Sequence, residues 1–332
     1  MKKVLILTPR LDIMFKRGPV PVERGPIAPI RVHWQRFAEG AANEHRKRGD
    51  KVHVLELPNW QFTPELVCQM KPDIVYVAHK EEHSFPIPEI ENIDVRYYMQ
   101  TVFPWRFYVD PIGFAGGSSI DPWTLIEMGD ENSGNFEKLR DYSLAGGSKF
   151  DQPNSQNIKF SDEYVFFPCQ IPHDETIKYH SDVTVEQALE HTIYACKELG
   201  YKLIVKGHPV NPGSMASLKA VAEGHQNVIW LDDVSIHDLI PNAKAVVVVN
   251  SGTGMESLLR LKNVVTFGRA EYNCVANALA ERSPLYQDPI KDVVEAISNE
   301  ENVSEYKIKK FFDGWCKWTI DTSEKSDFSK LY

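Results

Sequence analysis

Lys202-Leu203-Ile204-Val205-Lys206-Gly207-His208-Pro209 and Ala245-Val246-Val247-Val248-Val249-Asn250-Ser251-Gly252-Thr253-Gly254-Met255-Glu256 are the two stretches that settle how the rest of the chain is read. Each begins as a short apolar run rich in branched side chains, the composition of a strand covered on both faces in a parallel sheet, and then breaks into a polar loop. Open α/β sheets bind ligands outside the carboxyl ends of their strands. His208 beside Lys206 on one loop, with the hydroxyls and glycines of Ser251, Gly252, Thr253 and Gly254 opening a helix on the other, is an arrangement that holds a phosphate without a metal. A nucleotide site is therefore expected at these strand ends.

Working outward, the first half alternates strand at Lys3 to Leu7, helix near Val32 to Arg48, strand at Lys51 to Leu57, helix near Thr63 to Met70 and strand at Ile74 to Val77. This is a βαβαβ rhythm. Gly49-Asp50 stops the first helix where Arg46, Lys47 and Arg48 complement its carbonyl end. A strand near Val95 to Met99 leads into an aromatic, glycine-rich stretch, Phe103 to Asp110 and Gly116 to Ser119, at the expected active edge of the first domain. From Leu144 to Asp162 the chain is polar and glycine-rich with neither period, and reads as the interdomain linker. Alternation restarts with strands at Tyr164 to Phe167, Lys202 to Lys206, Val228 to Trp230, Ala245 to Val249 and Val264 to Phe267. Helices are expected over Val185 to Leu199 and Ser214 to Gly224, and from Val275, Ile290 and Ser304. The expected class is α/β, with Rossmann-like domains at residues 1–150 and 151–332 and a cleft between them. That is the GT-B architecture, shared by glycosyltransferases and a few epimerases, and it does not fix the chemistry.

A chain of 332 residues, 42% hydrophobic, is long enough for two cores. Its formal charge of -9 argues against nucleic acid, whose phosphates select clustered Lys and Arg. The five cysteines, at 68, 169, 196, 274 and 316, have no CxxC or zinc spacing and read as buried thiols in a reducing compartment. Met1-Lys2-Lys3 runs straight into Val4 to Leu7, too short for a signal peptide, and no window approaches the roughly 20 apolar residues of a bilayer span. A soluble, cytoplasmic protein is expected.

Each motif carries a functional and a plainer reading. His208, constrained between Gly207 and Pro209, is a phosphate contact or a turn cap. Ser251, Thr253 and nearby N–H groups suit phosphate and Glu256 suits ribose hydroxyls, or Asn250 or Ser251 simply caps a helix. Ser235-Ile236-His237-Asp238 has capping-box-like spacing. Asp232-Asp233 invites a divalent ion on a diphosphate but more plausibly starts a loop, and no metal is expected. Gln170 and Asp174 leave the strand ending at Phe167 and are expected at the cleft floor, where a carboxylate attacks an anomeric carbon or accepts a hydroxyl proton, unless Asp174 only starts a helix. Glu23, Asp110 and Asp121 are the first-domain carboxylate candidates, without diagnostic spacing. The helix Ser304 to Trp318 sets Ile308, Phe311, Phe312, Trp315 and Trp318 largely on one side with Lys307, Lys309, Lys310 and Lys317 flanking them. Such a helix lies on an anionic membrane surface, or packs back over the first domain.

From Tyr164 to Tyr272 the chain resembles the bacterial capsule polysaccharide biosynthesis proteins, whose characterised members are retaining β-Kdo transferases using CMP-Kdo. The resemblance rests on Gln170 and Asp174, on Lys206, His208 and Pro209, on Asn250, Ser251, Gly254 and Glu256, and on Gly268-Arg269-Ala270-Glu271-Tyr272. The His-Pro and Ser loops are also similar to those of GT-B sialyltransferases, which use CMP-sialic acid. The resemblance implies that His208 and Ser251 hold the CMP phosphate, that Glu256 lies near the nucleotide, and that Asp174 is the nucleophile of a covalent glycosyl adduct. It implies no metal and no cofactor beyond the donor, because a monophosphate leaving group is stabilised by imidazole, hydroxyl and backbone donors.

The family also carries an acid/base glutamate after a first-domain strand, and here Met99-Gln100-Thr101 stands at that place. Gln100 cannot exchange a proton as a carboxyl does, so Asp110 or His79 would serve instead, or the chain transfers a different sugar or is impaired. The resulting expectation is a glycosyltransferase of surface polysaccharide assembly. Its partners would be a CMP-sugar donor and a glycan or lipid-linked saccharide acceptor bound by the first domain, with peripheral contact at the inner face of the cytoplasmic membrane or with a capsule complex. The competing expectations are a GT-B transferase using a UDP- or GDP-sugar, and a non-catalytic nucleotide-sugar-binding partner.

Overall fold

Val4, Leu5, Ile6 and Leu7 are all buried, as a strand covered on both faces requires, and they form an interior strand of the first sheet. The structure, a computed structural model, describes residues 1–10, 13–15, 21–23, 32–58, 61–87, 92–156, 158, 160–209, 212–280, 288–299, 303–323 and 327–332, with 13–15 and 21–23 described as backbone only. In chain order the first elements are β1 (Lys3–Pro9), β2 (Ile13–Phe15), β3 (Pro21–Glu23), α1 (Val32–Lys47), β4 (Lys51–Leu57), α2 (Pro64–Met70), β5 (Ile74–Ala78), β6 (Asp94–Gln100) and β7 (Arg106–Asp110). Then follow α3 (Pro122–Met128), α4 (Asn135–Leu144), β8 (Tyr164–Pro168), α5 (Glu175–His180), α6 (Val185–Leu199), β9 (Lys202–Lys206), α7 (Ala216–Ala222), β10 (Val228–Leu231) and α8 (Ile236–Leu239). The last are β11 (Ala245–Val248), α9 (Gly252–Leu258), β12 (Asn263–Thr266), β13 (Asn277–Ala278), α10 (Pro289–Ser298), α11 (Glu305–Trp318) and β14 (Ile320–Asp321).

Among the described residues there are two six-stranded sheets, ordered β14-β7-β6-β5-β1-β4 and β10-β9-β8-β11-β12-β13. The pairings of the second sheet are all parallel. In the first, β1, β4, β5 and β6 run parallel while β7 and β14 add antiparallel strands at one edge. Local signals account for the helix ends. Thr184 and Gln187 close a capping box on α6, and Gly200 ends that helix in the left-handed region at φ 71°.

The chain divides into two units, residues 1–119 with 318–332 and residues 120–317. The expected division at 150/151 therefore differs from the observed one, and the reason lies in α3 and α4. A Cβ on Gly129 would stand 1.8 Å from the Lys310 carbonyl oxygen, and one on Gly314 would stand 1.8 Å from that of Leu125, so α3 and α11 meet backbone to backbone. Asp313 of α11 also accepts from Asp130 N at 2.8 Å and Asn135 Nδ2 at 2.6 Å. The stretch read as a linker belongs to the second unit, and α11 lies there as far as Lys317. The aromatic face of α11 is interior: Ile308, Phe311, Phe312 and Trp315 are fully buried. Its Lys309 pairs with Glu137 and Glu305, and its Lys317 with Asp313, so this helix does not present its aromatic side as a membrane-binding face. No helix among the described residues is long and apolar enough to cross a membrane. The helix expected from Val275 is instead a short turn followed by β13, which extends the sheet beside β12.

Candidate functional site

In the second sheet the chain passes from β8 to β9 and β10 on one side, then returns to β11, β12 and β13 on the other. The switch point lies between β8 and β11, whose loops diverge and leave the crevice where α/β sheets bind ligands. Gln170 and Asn250 bolt these two loops together. Gln170 Oε1 accepts from Val249 N at 3.1 Å and Asn250 N at 3.0 Å, while its Nε2 donates to Asn250 Oδ1 at 2.8 Å. Asn250 Nδ2 donates to the Thr176 carbonyl at 2.9 Å. Both amides position the loops rather than face a ligand, a role their place in the motif did not reveal.

At the end of β9, adjoining β8 on its other side, Lys206 is buried and its ammonium donates to the Gly207 carbonyl over a long 3.4 Å. Burial lowers its pKa, opposed by Cys169, Asp232 and Asp233. A Cβ on Gly207 would stand 2.3 Å from Asp232 Oδ1, so a larger residue there would displace that carboxylate. The Asp232 carboxylate is held by Trp230 Nε1 at 2.9 Å and Lys219 Nζ at 2.9 Å, which makes it a loop brace rather than a metal ligand. No group of three or more His, Cys, Asp or Glu among the described residues is arranged to hold a metal ion. His208 is half-buried; its backbone N–H points to Met215 Sδ at 3.4 Å, and Pro209 is exposed. Burial and then Lys206 push the imidazole below its ordinary pKa, against the pull of Asp174, so it is neutral at pH 7 and donates one N–H.

After β11, Ser251 caps α9 by accepting from Thr253 N at 3.2 Å, and donates to Thr253 Oγ1 at 3.3 Å. Gly252 opens the helix, and Gly254 is a packing glycine: a Cβ there would lie 2.4 Å from the Tyr272 hydroxyl. That hydroxyl donates to the Ser251 carbonyl at 2.5 Å and fixes the turn. Glu256 is 3% exposed, its Oε1 has no hydrogen-bond partner among the described residues, and burial raises its carboxyl to about 7 against Ser148 and Arg260. Ser235 caps α8 through His237 N at 3.2 Å, which is the plainer of its two readings.

The residues sequence reasoning missed lie in the supposed linker. The Gly147 N–H donates to Tyr142 O at 3.0 Å, the Ser148 hydroxyl bonds Glu256, and the Phe150 ring sets an edge against His208 with centroids 5.5 Å apart. Gln152 Oε1 accepts from Ile236 N at 3.3 Å, and Gln156 N donates to Asp238 Oδ2 at 2.8 Å. Residues 145–156 are thus a strap fastened across the strand-end loops and the start of α8. Asp174 is exposed at the start of α5, its Oδ1 accepting from Thr176 N at 2.9 Å and Thr176 Oγ1 at 2.7 Å. It is a helix cap, and its charge also acts on both His208 and Lys149. Asp174, His208, Lys206 and Lys149 therefore influence one another electrostatically.

In the first unit, Asp110 and Gln100 are both engaged by backbone groups. Asp110 Oδ1 accepts from the backbone N–H groups of Ile112, Gly113 and Ser119 at 2.9, 3.1 and 3.0 Å, and Oδ2 accepts from Ser119 Oγ at 2.8 Å. Those bonds occupy the carboxylate and shape the loop after β7. Gln100 Nε2 donates to the Pro104 carbonyl at 2.6 Å, bracing the β6–β7 turn. His79 stacks on Trp34, ring centroids 4.1 Å apart. Glu81, which the sequence did not single out, is a buried carboxylate beyond the end of β5. Asp121 caps α3 in the second unit, and the side chain of Glu23 lies outside the described residues.

Residues 131–285 match the family model described as capsule polysaccharide biosynthesis protein. Protein FixF of Sinorhizobium fredii (strain NBRC 101917 / NGR234) is 27% identical over 186 residues, 52% of this chain and 42% of that protein, so the match spans less than half of that relative's length. Among solved structures, the β-Kdo 2,7 transferase of Thermosulfurimonas dismutans KpsC is similar with a TM-score of 0.52 and 16% identity, over 89% of this chain and 90% of that one. The β-Kdo 2,4 transferase of the same KpsC gives 0.49 and 16%, over 79% and 88%. The first of these shows a shared GT-B fold. The match over residues 131–285 takes in α4, the strap and every strand-end loop of the site, so this part of the chain is similar to the capsule polysaccharide biosynthesis family.

Proposed function

We propose that the chain is a glycosyltransferase of capsule or surface polysaccharide assembly, transferring Kdo or a related ulosonic acid from a CMP-sugar to a glycan or glycolipid acceptor. The observation that supports this reading is the grouping of His208, Lys206 and Asp174 with the capped Ser251–Thr253 turn around the switch point of the second, parallel sheet. A neutral imidazole, the Ser251 and Thr253 hydroxyls and the N–H groups of that turn suit one phosphate, and a monophosphate leaving group needs no divalent ion.

In the retaining mechanism, Asp174 attacks the anomeric carbon as the bond to the CMP phosphate breaks, giving a glycosyl ester. An acceptor hydroxyl then displaces Asp174, its proton passing to a base. With Asp174 Oδ1 holding α5, the attacking oxygen is Oδ2. Gln100 and Asp110 are engaged by backbone groups and Ser119. Calorimetric titration with CMP, UDP and GDP tests the donor: CMP binds preferentially, and His208→Ala abolishes it. Asp174→Ala retains CMP binding and loses transfer. Binding of UDP or GDP in place of CMP overturns the donor assignment, and a fully active Asp174→Ala removes Asp174 from the chemistry.

The engagement of Gln100 and Asp110 favours a second reading, a non-catalytic nucleotide-sugar-binding partner in a capsule complex. Consumption of CMP-Kdo in the presence of a polysaccharide acceptor, lost in Asp174→Ala, excludes it.

A further inference from the structure

Phe150, in the middle of the strap, is 39% exposed, and its ring meets the His208 imidazole with centroids 5.5 Å apart and planes at 73°. A single exposed aromatic is ordinary on a protein surface. What sets Phe150 apart is how it is held. On its N-terminal side Gly147 N donates to the Tyr142 carbonyl at 3.0 Å, and the Tyr142 hydroxyl donates to the Ser148 carbonyl at 3.3 Å. A Cβ on Gly147 would run into the Tyr142 ring, so the chain there is packed close. On its C-terminal side Gln152 Nε2 donates to the carbonyl of Phe150 itself at 3.2 Å, while Gln152 Oε1 accepts from Ile236 N at 3.3 Å. The backbone is fastened on both sides, and an apolar ring is kept in solvent beside the His208 loop.

The course of the strap decides what that ring faces. The second sheet is ordered β10-β9-β8-β11, with His208 following β9 and Asp174 following β8. Beyond Phe150 the strap is tied to residues that follow β10. Besides Ile236, the Asp233 carbonyl accepts from Gln156 Nε2 at 2.8 Å and Asp238 Oδ2 from Gln156 N at 2.8 Å. The ring therefore stands against His208 from the β10 side, whereas Asp174 belongs to the β8 side. The phosphate of a nucleotide-sugar carries the sugar on one oxygen and the nucleoside on another. With the phosphate at His208 and the reacting sugar at Asp174, the part that reaches Phe150 is the nucleoside. Its base is flat, and an aromatic side chain holds a base by stacking.

We propose that Phe150 is the platform on which the nucleobase of the donor stacks, so that the strap supplies the base contact and the strand-end loops the phosphate contacts. This assignment rests on the reading of the His208 loop as the donor phosphate site.

The test titrates wild type, Phe150→Leu and Phe150→Tyr with CMP by calorimetry and measures KM for CMP-Kdo, once equal melting temperatures have been checked. Leucine is apolar but has no π-face. In Phe150→Leu, CMP affinity falls about five- to a hundredfold and KM for CMP-Kdo rises by a similar factor, while Phe150→Tyr stays within about twofold of wild type. A second readout separates stacking from an effect passed through His208. The emission of pyrrolocytidine monophosphate, a fluorescent CMP analogue that dims on stacking, drops on binding to wild type and stays near its free value in saturated Phe150→Leu. Unchanged CMP affinity with a raised KM overturns the assignment, because the ring would then hold the sugar. Unchanged affinity and KM together overturn it, because the ring would then touch no part of the donor. Weakened binding with the drop in emission intact also overturns it, because Phe150 would then act by positioning His208. If wild type binds UDP or GDP in place of CMP, the CMP-sugar reading fails, and the same three proteins titrated with that nucleotide decide the role of Phe150. If it binds none of the three, the nucleotide site and the platform fall together.

Discussion

Glu256 shows why a single buried carboxyl matters to this site. Its unfolded pKa is near 4.5 and burial lifts the folded value to about 7, so between those limits the native state keeps a proton that the unfolded chain releases. The stability this contributes is present below pH 4.5 and is lost as pH rises through 7, the reverse of the usual carboxylate. Glu256→Gln, which is neutral throughout, should therefore gain on wild type between pH 5 and pH 8 by about 1–3 kcal/mol. Melting temperatures of the two proteins at both values check this, and a gap that does not widen with pH sinks the account of the buried proton. Two residues earlier in the same turn the constraint is steric rather than electrostatic. The Tyr272 ring leaves no room for a Cβ on Gly254, so Gly254→Ala should cost about 1–3 kcal/mol and loosen the Ser251 turn. Denaturant unfolding gives the cost, and CMP titration should weaken in parallel. An alanine variant of wild-type stability would mean that Tyr272 moves aside freely.

At the scale of elements, α11 tests packing against propensity. Alanine is the better helix former by about 1 kcal/mol, yet Gly314 faces the Leu125 carbonyl where a Cβ would stand at 1.8 Å. Gly314→Ala should thus destabilise by at least about 2 kcal/mol, measured by urea unfolding, and a stabilised variant would refute the backbone contact between α3 and α11. At the preceding residue, burial pushes the Asp313 carboxyl up, but Lys317 and the hydrogen bonds from Ser133, Asp130 and Asn135 outweigh it and hold it at about 2. That contribution is present above pH 3.8 and lost as pH falls through 2. Asp313→Asn should therefore cost about 2 kcal/mol at pH 7, with the difference from wild type closing toward pH 2. The elements that were legible beforehand are those whose signals are local. Helix α6 carries its own capping box and terminal glycine, and the runs Lys202 to Lys206 and Ala245 to Val248 announce themselves by composition. The strap was read as a linker because its hydrogen bonds go to Ile236, Asp238 and Glu256, partners far along the chain, and so impose no period on its sequence. The hydrogen bonds that engage Asp110 and Gln100 were hidden for a related reason. Composition shows a carboxyl or an amide, not whether backbone groups already occupy it. The strand-end loops were recognisable because a glycine, a histidine and a hydroxyl crowded after a strand mark the place as well as the chemistry.

For the molecule as a whole, the asymmetry between the units is that one is continuous in sequence and the other is not. Residues 120–317 form a single stretch, whereas residues 1–119 are completed by 318–332. The returning segment does more than cover a surface. β14 extends the sheet beside β7, with Thr322 N donating to the Trp105 carbonyl at 2.7 Å and Arg106 Nη1 donating to Thr319 Oγ1 at 3.0 Å. Phe328 then fills the space above Gly40, where a Cβ would stand 2.1 Å from its ring, and packs against Phe37 with centroids 5.8 Å apart. Beyond it the Tyr332 hydroxyl meets the His45 imidazole while the Arg48 guanidinium lies 3.2 Å from the Tyr332 ring centroid. Removing Phe328 leaves an unfilled cavity in the first core, worth about 3–5 kcal/mol, and none in the second. Calorimetry of Phe328→Ala should accordingly show one transition lowered and one unmoved. A chain ending at Lys317 should keep residues 120–317 resistant to protease while residues 1–119 are digested. If both regions are digested at the same rate, the segment after Lys317 stabilises the whole chain as one cooperative unit, and the division of labour argued from its contacts is wrong.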